Sequence, residues 1–275
     1  MITRHFTYVA PASAEEAARV LGDGGEDTEI LGGGTRVVPE MTNGTRRPAR
    51  VVDLAKAGLK RIAHSDGSIV IGAQTTYRDL IDSELITERL PLLRTLALGV
   101  TGGSQVWNRG TVGGSACYAN PQSDVPASLV ALGATLRLRS AGGVREVAAA
   151  EFFRGAFATD VRSGELLEEI VIAAQAGERG GYYKFKLSES SWPIVTAAYV
   201  DGEQPRVALG GVEAVPLLVA LEGIDAGAVE EAVAARITAP YTDALATGEY
   251  KKSIAGVIAR RAVEAAAGSQ NGAAR

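Results

Sequence analysis

Cysteine is almost missing. Cys117 stands alone among 275 residues, so the chain can close no internal disulfide and can hold neither a zinc cluster nor an iron–sulfur cluster by itself. Histidine is nearly as scarce: His5 and His64 are the only two, and neither lies beside the glycine-rich stretches described below, so no metal site is expected. No serine or cysteine triad can be assembled around them, which leaves a hydrolase weakly supported. Long apolar runs are absent too. None approaches the roughly 20 residues that span a bilayer, and Met1-Ile2-Thr3-Arg4-His5 lacks the apolar core of a signal peptide, so the expected location is the cytoplasm. The charge excess is only -4, which gives no electrostatic case for nucleic acid or a membrane surface as partner.

What the chain does hold is glycine, 33 residues of it, concentrated at two places that matter. The stretch from Asn108 to Asp124 reads N-R-G-T-V-G-G-S-A-C-Y-A-N-P-Q-S-D, with Gly110, Gly113 and Gly114 in what reads as one short turn. Gly32-Gly33-Gly34-Thr35 forms a second turn, directly after the apolar run Glu29-Ile30-Leu31. Glycine tolerates positive φ and lets a ligand touch bare backbone, and successive inward N–H groups make an anion-binding concavity. Two such turns are suited to gripping one diphosphate. Neither matches G-x-G-x-x-G or G-x-x-x-x-G-K-[ST], so the scheme differs from the common dinucleotide and P-loop sites.

Along the chain, the pattern predicts a helix from Ser13 to about Leu21 with a capping box made by Ser13 and Glu16. A strand at Glu29 to Leu31, a short helix at Val37 to Met41 and a strand at Arg50 to Leu54 complete a first lobe. A second lobe opens with a buried strand at Ser68 to Ala73, a helix capped by Thr75-Thr76, and a nearly all-apolar helix over Leu90 to Val100. Asp124 reads as the N-cap of a helix running to Leu132; Ala134 to Arg139 and Arg145 to Ala148 read as a hairpin. Strands are expected at Tyr182 to Leu187, Ile194 to Val200 and Arg206 to Leu209, with helices at Ala228 to Ile237 and Lys251 to Ala267 and a frayed tail from Gly268. Cys117 is expected to be a small buried residue rather than a redox thiol.

The wording of these stretches carries a resemblance. G-G-G-T-R-V-V-P-E-M from Gly32, and N-x-G-T-V-G-G-S followed by N-P-x-x-D from Asn108, are similar to the two flavin-binding motifs of one family. That family is the FAD-binding medium subunit of molybdenum hydroxylases, as in xanthine dehydrogenase and carbon monoxide dehydrogenase. The opening F-x-Y-x-x-P-x-S-x-x-E-A from Phe6, E-L-L-x-x-I-x-I from Glu165 and the closing Y-K-K-S-I-A-G-V-I-A-R-R-A-V from Tyr250 also resemble it, in the same order.

The resemblance implies an α+β chain: a two-lobe FAD-binding fold of the vanillyl-alcohol-oxidase type over 1–175, with lobes of about 1–57 and 58–175, then a small C-terminal α/β domain over 176–275. It implies that Gly32, Gly33, Gly34, Thr35 and Arg36, together with Gly110, Thr111, Val112, Gly113, Gly114 and Ser115, hold the FAD diphosphate. Asp124 matches a family acidic residue on the adenosine part, with a plain N-cap as its other reading. Lys184, or Lys186 two residues on, matches a lysine near the flavin ring, and a strand-edge lysine without function is the other reading. Leu167 matches a residue packed near the ring and is core by default. No histidine lies near enough for a covalent flavin link. The implied partners are a [2Fe-2S] small subunit and a molybdopterin large subunit, from which this chain would pass electrons to NAD, a quinone or dioxygen. A standalone FAD-dependent oxidase or dehydrogenase on a small molecule is the alternative, and a cofactor-free structural subunit a third. Four positions depart from the family pattern: Arg36, Trp107, Ser115 and Ser188. The Gly99 to Gly103 segment leading into Trp107 is a candidate docking surface, unless Trp107 is core.

Overall fold

The computed structural model of the chain describes every residue except Met1, Thr3, Glu26, 175–178 and 273–275. Its first sheet joins β1 (Thr7–Val9), β2 (Thr28–Leu31) and β3 (Arg50–Asp53) in the order β1-β3-β2, all parallel. Parallel neighbours need crossovers, and α1 (Ala14–Gly22) and α2 (Val37–Asn43) supply them. The α1 cap is close to the expected box. Ser13 Oγ accepts from the Glu16 N–H at 3.1 Å, but the Glu16 carboxylate reaches the N–H of Ala12 rather than of Ser13. Val51 and Val52 are buried at the centre of the sheet.

The second sheet is antiparallel, and its middle strand arrives last. After β4 (Ile62–Ser65) and β5 (Ser68–Gly72) the chain makes six helices: α3 (Tyr77–Asp82), α4 (Glu84–Arg89), α5 (Pro91–Gly99), α6 (Gly103–Trp107), α7 (Val112–Tyr118) and α8 (Asp124–Ala131). The expected hairpin follows as β6 (Thr135–Ser140) and β7 (Gly143–Ala148), then α9 (Ala149–Phe152) and a small pair, β8 (Phe153–Gly155) with β9 (Ala158–Thr159). β10 (Leu166–Ala173) then inserts between β5 and β6, giving the order β4-β5-β10-β6-β7. Its two faces differ. Ile170 and Ile172 enter the core beside the apolar α5, as that helix pattern requires, whereas Glu169 meets Arg61 and Arg137 on the outer face. Arg145 on β7 ties down the segment before β10, bonding Asp160 at 2.8 Å and Glu165 at 2.7 Å.

The third sheet runs β11 (Gly180–Lys186), β12 (Pro193–Val200), β13 (Arg206–Gly210) and β14 (Leu217–Ala220), antiparallel throughout. Every residue of β12 is buried, because both sheet faces are covered. Tyr182, Ala198, Val200 and Ala208 join the core of the second sheet beside α8, while Ala197, Tyr199, Val207 and Leu209 pack with α10 (Ala226–Arg236) and α11 (Gly248–Gly272). Lys251 on α11 is fully buried: its amine pairs with Asp243 and faces the Tyr241 ring at 5.1 Å. Burial alone would raise the Asp243 carboxyl, but Lys251 and the N–H groups of Leu245 and Ala246 hold it below the usual carboxylate range. Gln122 donates to the same carboxylate at 2.8 Å, fastening α11 to the loop before α8.

The α+β class holds, and most expected elements stand within a residue or two of their predicted places. Three expectations do not. Asp124 is not an N-cap: Ser123 occupies that position and Asp124 opens α8. Gly113 and Gly114 lie in the first turn of α7, and neither they nor Gly110 adopts positive φ, so the second glycine stretch is a helix start rather than an open turn. The tail from Gly268 continues α11 to Gly272, leaving 273–275 outside the described residues. The expected boundary between 1–175 and 176–275 falls within 175–178, also outside them, and Gly180 already begins β11. No helix among the described residues is long and apolar enough to cross a membrane.

Candidate functional site

The two glycine stretches touch. A Cβ built on Gly33 would lie 1.7 Å from the Arg109 carbonyl oxygen, so only a residue without a side chain lets the turn after β2 rest on the segment entering α7. Gly34 next to it has φ 76°, the one left-handed position in this turn. Their donors differ in availability. Val112 donates to Thr75 O, Gly113 to Ala73 O and Gly114 to the Thr111 hydroxyl, so the helix start is satisfied internally. The N–H groups of Gly33 and Thr35, by contrast, find no acceptor among the described residues. The free neutral donors thus come from the first stretch. Gly113 has a packing task instead: its Cβ would sit 2.6 Å from both Cβ and O of Ala73.

Around this contact opens a cavity of 750 Å³, inside the range of about 300–1,000 Å³ typical of cofactor and small-molecule sites. Of the residues expected at a site, Gly32, Gly33, Gly34, Thr35, Arg36, Thr111, Gly113, Gly114, Ser115, Asp124 and Leu167 line it. Three do not. Val112 is buried in the core, Gly110 packs against Tyr77 and Val106, and Lys184 stands behind Asp124. Sequence reasoning missed Gln74, Tyr77, Tyr118 and Trp192, which also line the wall. The Thr76–Asp79 capping box marks where Tyr77 starts a helix, but nothing local says which way its ring turns.

One end of the cavity is polar. Asp124 is 4 % exposed; its Oδ1 accepts from Lys184 Nζ at 2.7 Å and from the Tyr182 hydroxyl. Lys184 Nζ also donates to Gly99 O at 2.5 Å. The Tyr77 hydroxyl bonds Ser115. Burial first, and the Asp124 charge second, pushes the Tyr182 phenol well above its ordinary range; burial does the same to Tyr77. Both phenols therefore stay protonated; Tyr182 donates to Asp124, and the Tyr77 hydroxyl shares a hydrogen bond with Ser115. Lys186 pairs with Glu189 at 3.0 Å, while Lys184 reaches Asp124, a residue of the cavity wall.

At another part of the wall Arg36 supplies the only family-unlike cation expected here, yet its charge is engaged. It bonds Glu40 at 2.7 Å and Glu29 at 3.5 Å, and its guanidinium lies 4.7 Å over the Tyr118 ring. Cys117 departs from expectation: it is exposed to the pocket rather than buried. Its free thiol is part of the pocket wall. Trp107 is half-buried, its indole N–H donating to Val100 O at 3.0 Å under the Arg78 guanidinium. No cluster of metal-ligating side chains occurs among the described residues.

This donor set fits a dinucleotide with a central diphosphate. Backbone N–H groups of Gly33 and Thr35 without an acceptor among the described residues belong to residues that line the cavity, and Ile30, Leu54, Val161 and Leu166 give it apolar walls that suit flat rings. Comparison with known proteins agrees. Residues 4–174 match the family described as the FAD binding domain in molybdopterin dehydrogenase. The carbon monoxide dehydrogenase medium chain of Afipia carboxidovorans is 35 % identical over 97 % of this chain and 98 % of its own. The glyceraldehyde dehydrogenase medium chain of Sulfolobus acidocaldarius is 32 % identical over 78 % and 79 %. Among solved structures, a Cu,Mo-CO dehydrogenase in its cyanide-inactivated form superposes with a TM-score of 0.89 at 34 % identity, covering 97 % of this chain and 99 % of that one. With residues 4–174 matching that family and 97 % of its length following carbon monoxide dehydrogenase medium chains, the chain belongs to the FAD-binding medium subunits of the molybdopterin dehydrogenases.

Proposed function

We propose that this chain is the electron relay of a cytoplasmic molybdenum hydroxylase complex: it holds FAD non-covalently and passes electrons from a partner's iron–sulfur clusters to an external acceptor. The medium-chain names of its relatives imply a small and a large subunit beside it, and we take these to be a [2Fe-2S] protein and a molybdopterin protein respectively. The observation that carries the reading is the contact of the two glycine stretches, with the free N–H groups of Gly33 and Thr35 at its edge. Bound FAD takes up electrons singly and gives them up in pairs, which is what a relay between clusters and a two-electron acceptor needs.

The chain's own residues do the holding. Gly32 to Arg36 receive the diphosphate through backbone N–H groups, and Thr111, Gly114 and Ser115 form the facing wall. Gly110 and Val112 set the shape of that wall from behind, and Gly113 lines it while packing on Ala73. Leu167 excludes water from a ring face, and Asp124, backed by Lys184, offers an acceptor at the polar end. We read the chain as two units, 1–175 with lobes 1–57 and 58–175, and 176–275, the second contributing Lys184 to the site. Acid precipitation of the purified protein tests the cofactor: FAD should appear in the supernatant. Flavin retained in the denatured pellet contradicts non-covalent binding, and no flavin at all contradicts the function.

A further inference from the structure

Three segments meet at one sheltered carboxylate. Asp243, in the loop between α10 and α11, accepts on Oδ1 from the N–H groups of Leu245 at 2.8 Å and Ala246 at 3.2 Å. Its Oδ2 takes the Lys251 ammonium and, at 2.8 Å, the side-chain amide of Gln122. Lys251 is fully buried beneath the Tyr241 ring and is no part of the pocket wall. An ammonium at this depth is costly, and a facing carboxylate compensates it only when its own lone pairs are met by further donors. One of those donors comes from the FAD-binding unit, 121 residues earlier in the chain.

Gln122 belongs to a tight turn that ends on the pocket. Its N–H bonds Asn120 Oδ1 at 3.1 Å, the Ser123 N–H returns to Asn120 O at 2.9 Å, and Ser123 and Asp124 line the cavity. These local bonds set the curvature of the turn; its place is set from outside. A Cβ on Gly210 of β13 would lie 3.1 Å from Pro121 O, so the bare strand lets the turn settle close, and Asp243 holds it from the side of α11. Resting on the FAD reading above, we propose that Lys251 and Gln122 are positioning residues for the cofactor: Lys251 fixes Asp243, Asp243 holds Gln122, and Gln122 sets the turn that presents Ser123 and Asp124 to the pocket. Neither touches FAD. They act on the fraction of free chains whose turn already has the receiving shape, and apparent affinity scales with that fraction.

The test uses Gln122→Leu, Lys251→Met and the pair together, each in the full chain. FAD dissociation constants of the folded protein are read from flavin fluorescence, and melting temperatures are recorded without FAD. Gln122→Leu should weaken FAD binding about threefold to tenfold, the loss expected when one hydrogen bond no longer holds the turn. Lys251→Met should weaken it at least as much, and the pair no more than Lys251→Met alone, because both act through Asp243. If Gln122→Leu lowers the melting temperature yet binds FAD as tightly as the unaltered chain, the tie is structural only and the proposal is overturned while the FAD reading stands. Losses that multiply in the pair overturn it in the same way. An unaltered chain that takes no flavin overturns both. If Lys251→Met does not fold, Gln122→Leu decides alone, since the Lys251–Asp243 pair is intact in that variant.

Discussion

Replacing Gly33 by alanine puts the account under direct strain. The new Cβ would lie 1.7 Å from the Arg109 carbonyl oxygen, 2.6 Å from its carbon and 3.1 Å from Gly110 Cα, all backbone atoms that cannot swing aside. To reach ordinary contact the two segments must part by more than an ångström. Overpacking of this kind costs about 1–3 kcal/mol. In the free chain the turn after β2 relaxes part of that strain by moving outward. A diphosphate gripped between the stretches holds them at their native spacing, so the strain falls mainly on the bound state, and affinity for FAD should drop about 5- to 150-fold. Fluorescence titration measures the affinity, with Gly22→Ala as control because a Cβ there meets nothing within 4 Å. If Gly33→Ala and Gly22→Ala bind FAD equally well, the touching stretches are not the grip.

Gly113 and Gly114 should separate stability from binding. Gly113→Ala drives a Cβ to 2.6 Å from Ala73 Cβ and O, and the clash should exceed the gain of about 1 kcal/mol in helix propensity, lowering the melting temperature. Gly114→Ala meets only the Thr111 hydroxyl at 2.8 Å, so the melting temperature should barely move while FAD affinity falls; the reverse pattern contradicts the assignment of walls. Cys117, exposed to the pocket, should be alkylated by iodoacetamide in the FAD-free chain, and added FAD should slow that labelling; a rate in mass spectra unchanged by FAD would count against the cavity as the flavin site. Hydrogen bonds from Arg145 hold the Glu165 and Asp160 carboxyls below their ordinary values, so their contribution is present above about pH 4 and lost as pH falls below it. Arg145→Ala should flatten that acid limb of the melting curve, and an unchanged limb would remove the role.

Much of the fold is local enough to read from the chain. The β2–α2 unit announces itself through Ile30, Leu31 and the glycines behind them, and the hairpin of β6 and β7 through strict alternation around Gly142-Gly143. β1 and β14 escape notice because strands of three and four residues carry too little period to stand out. The glycines were legible as a site but not in their separate tasks, since Gly33 and Gly113 meet atoms far along the chain, in Arg109 and Ala73. Asp124 looked like a cap because aspartate before Val125-Pro126 favours that place; its true partners, Tyr182 and Lys184, lie about 60 residues away and come near only when β11 packs beside α8. Cys117 misled for a similar reason: the helix that carries it borders a cavity no periodicity describes.

The claim that matters most is that electrons reach this chain through another protein. Flavin absorbance, followed anaerobically in the isolated FAD-loaded chain and in its complex with iron–sulfur and molybdopterin subunits, decides it. Small organic substrates should bleach the flavin only when the partners are present. Bleaching of the isolated chain by such a substrate would contradict the relay and make this protein an enzyme that works alone.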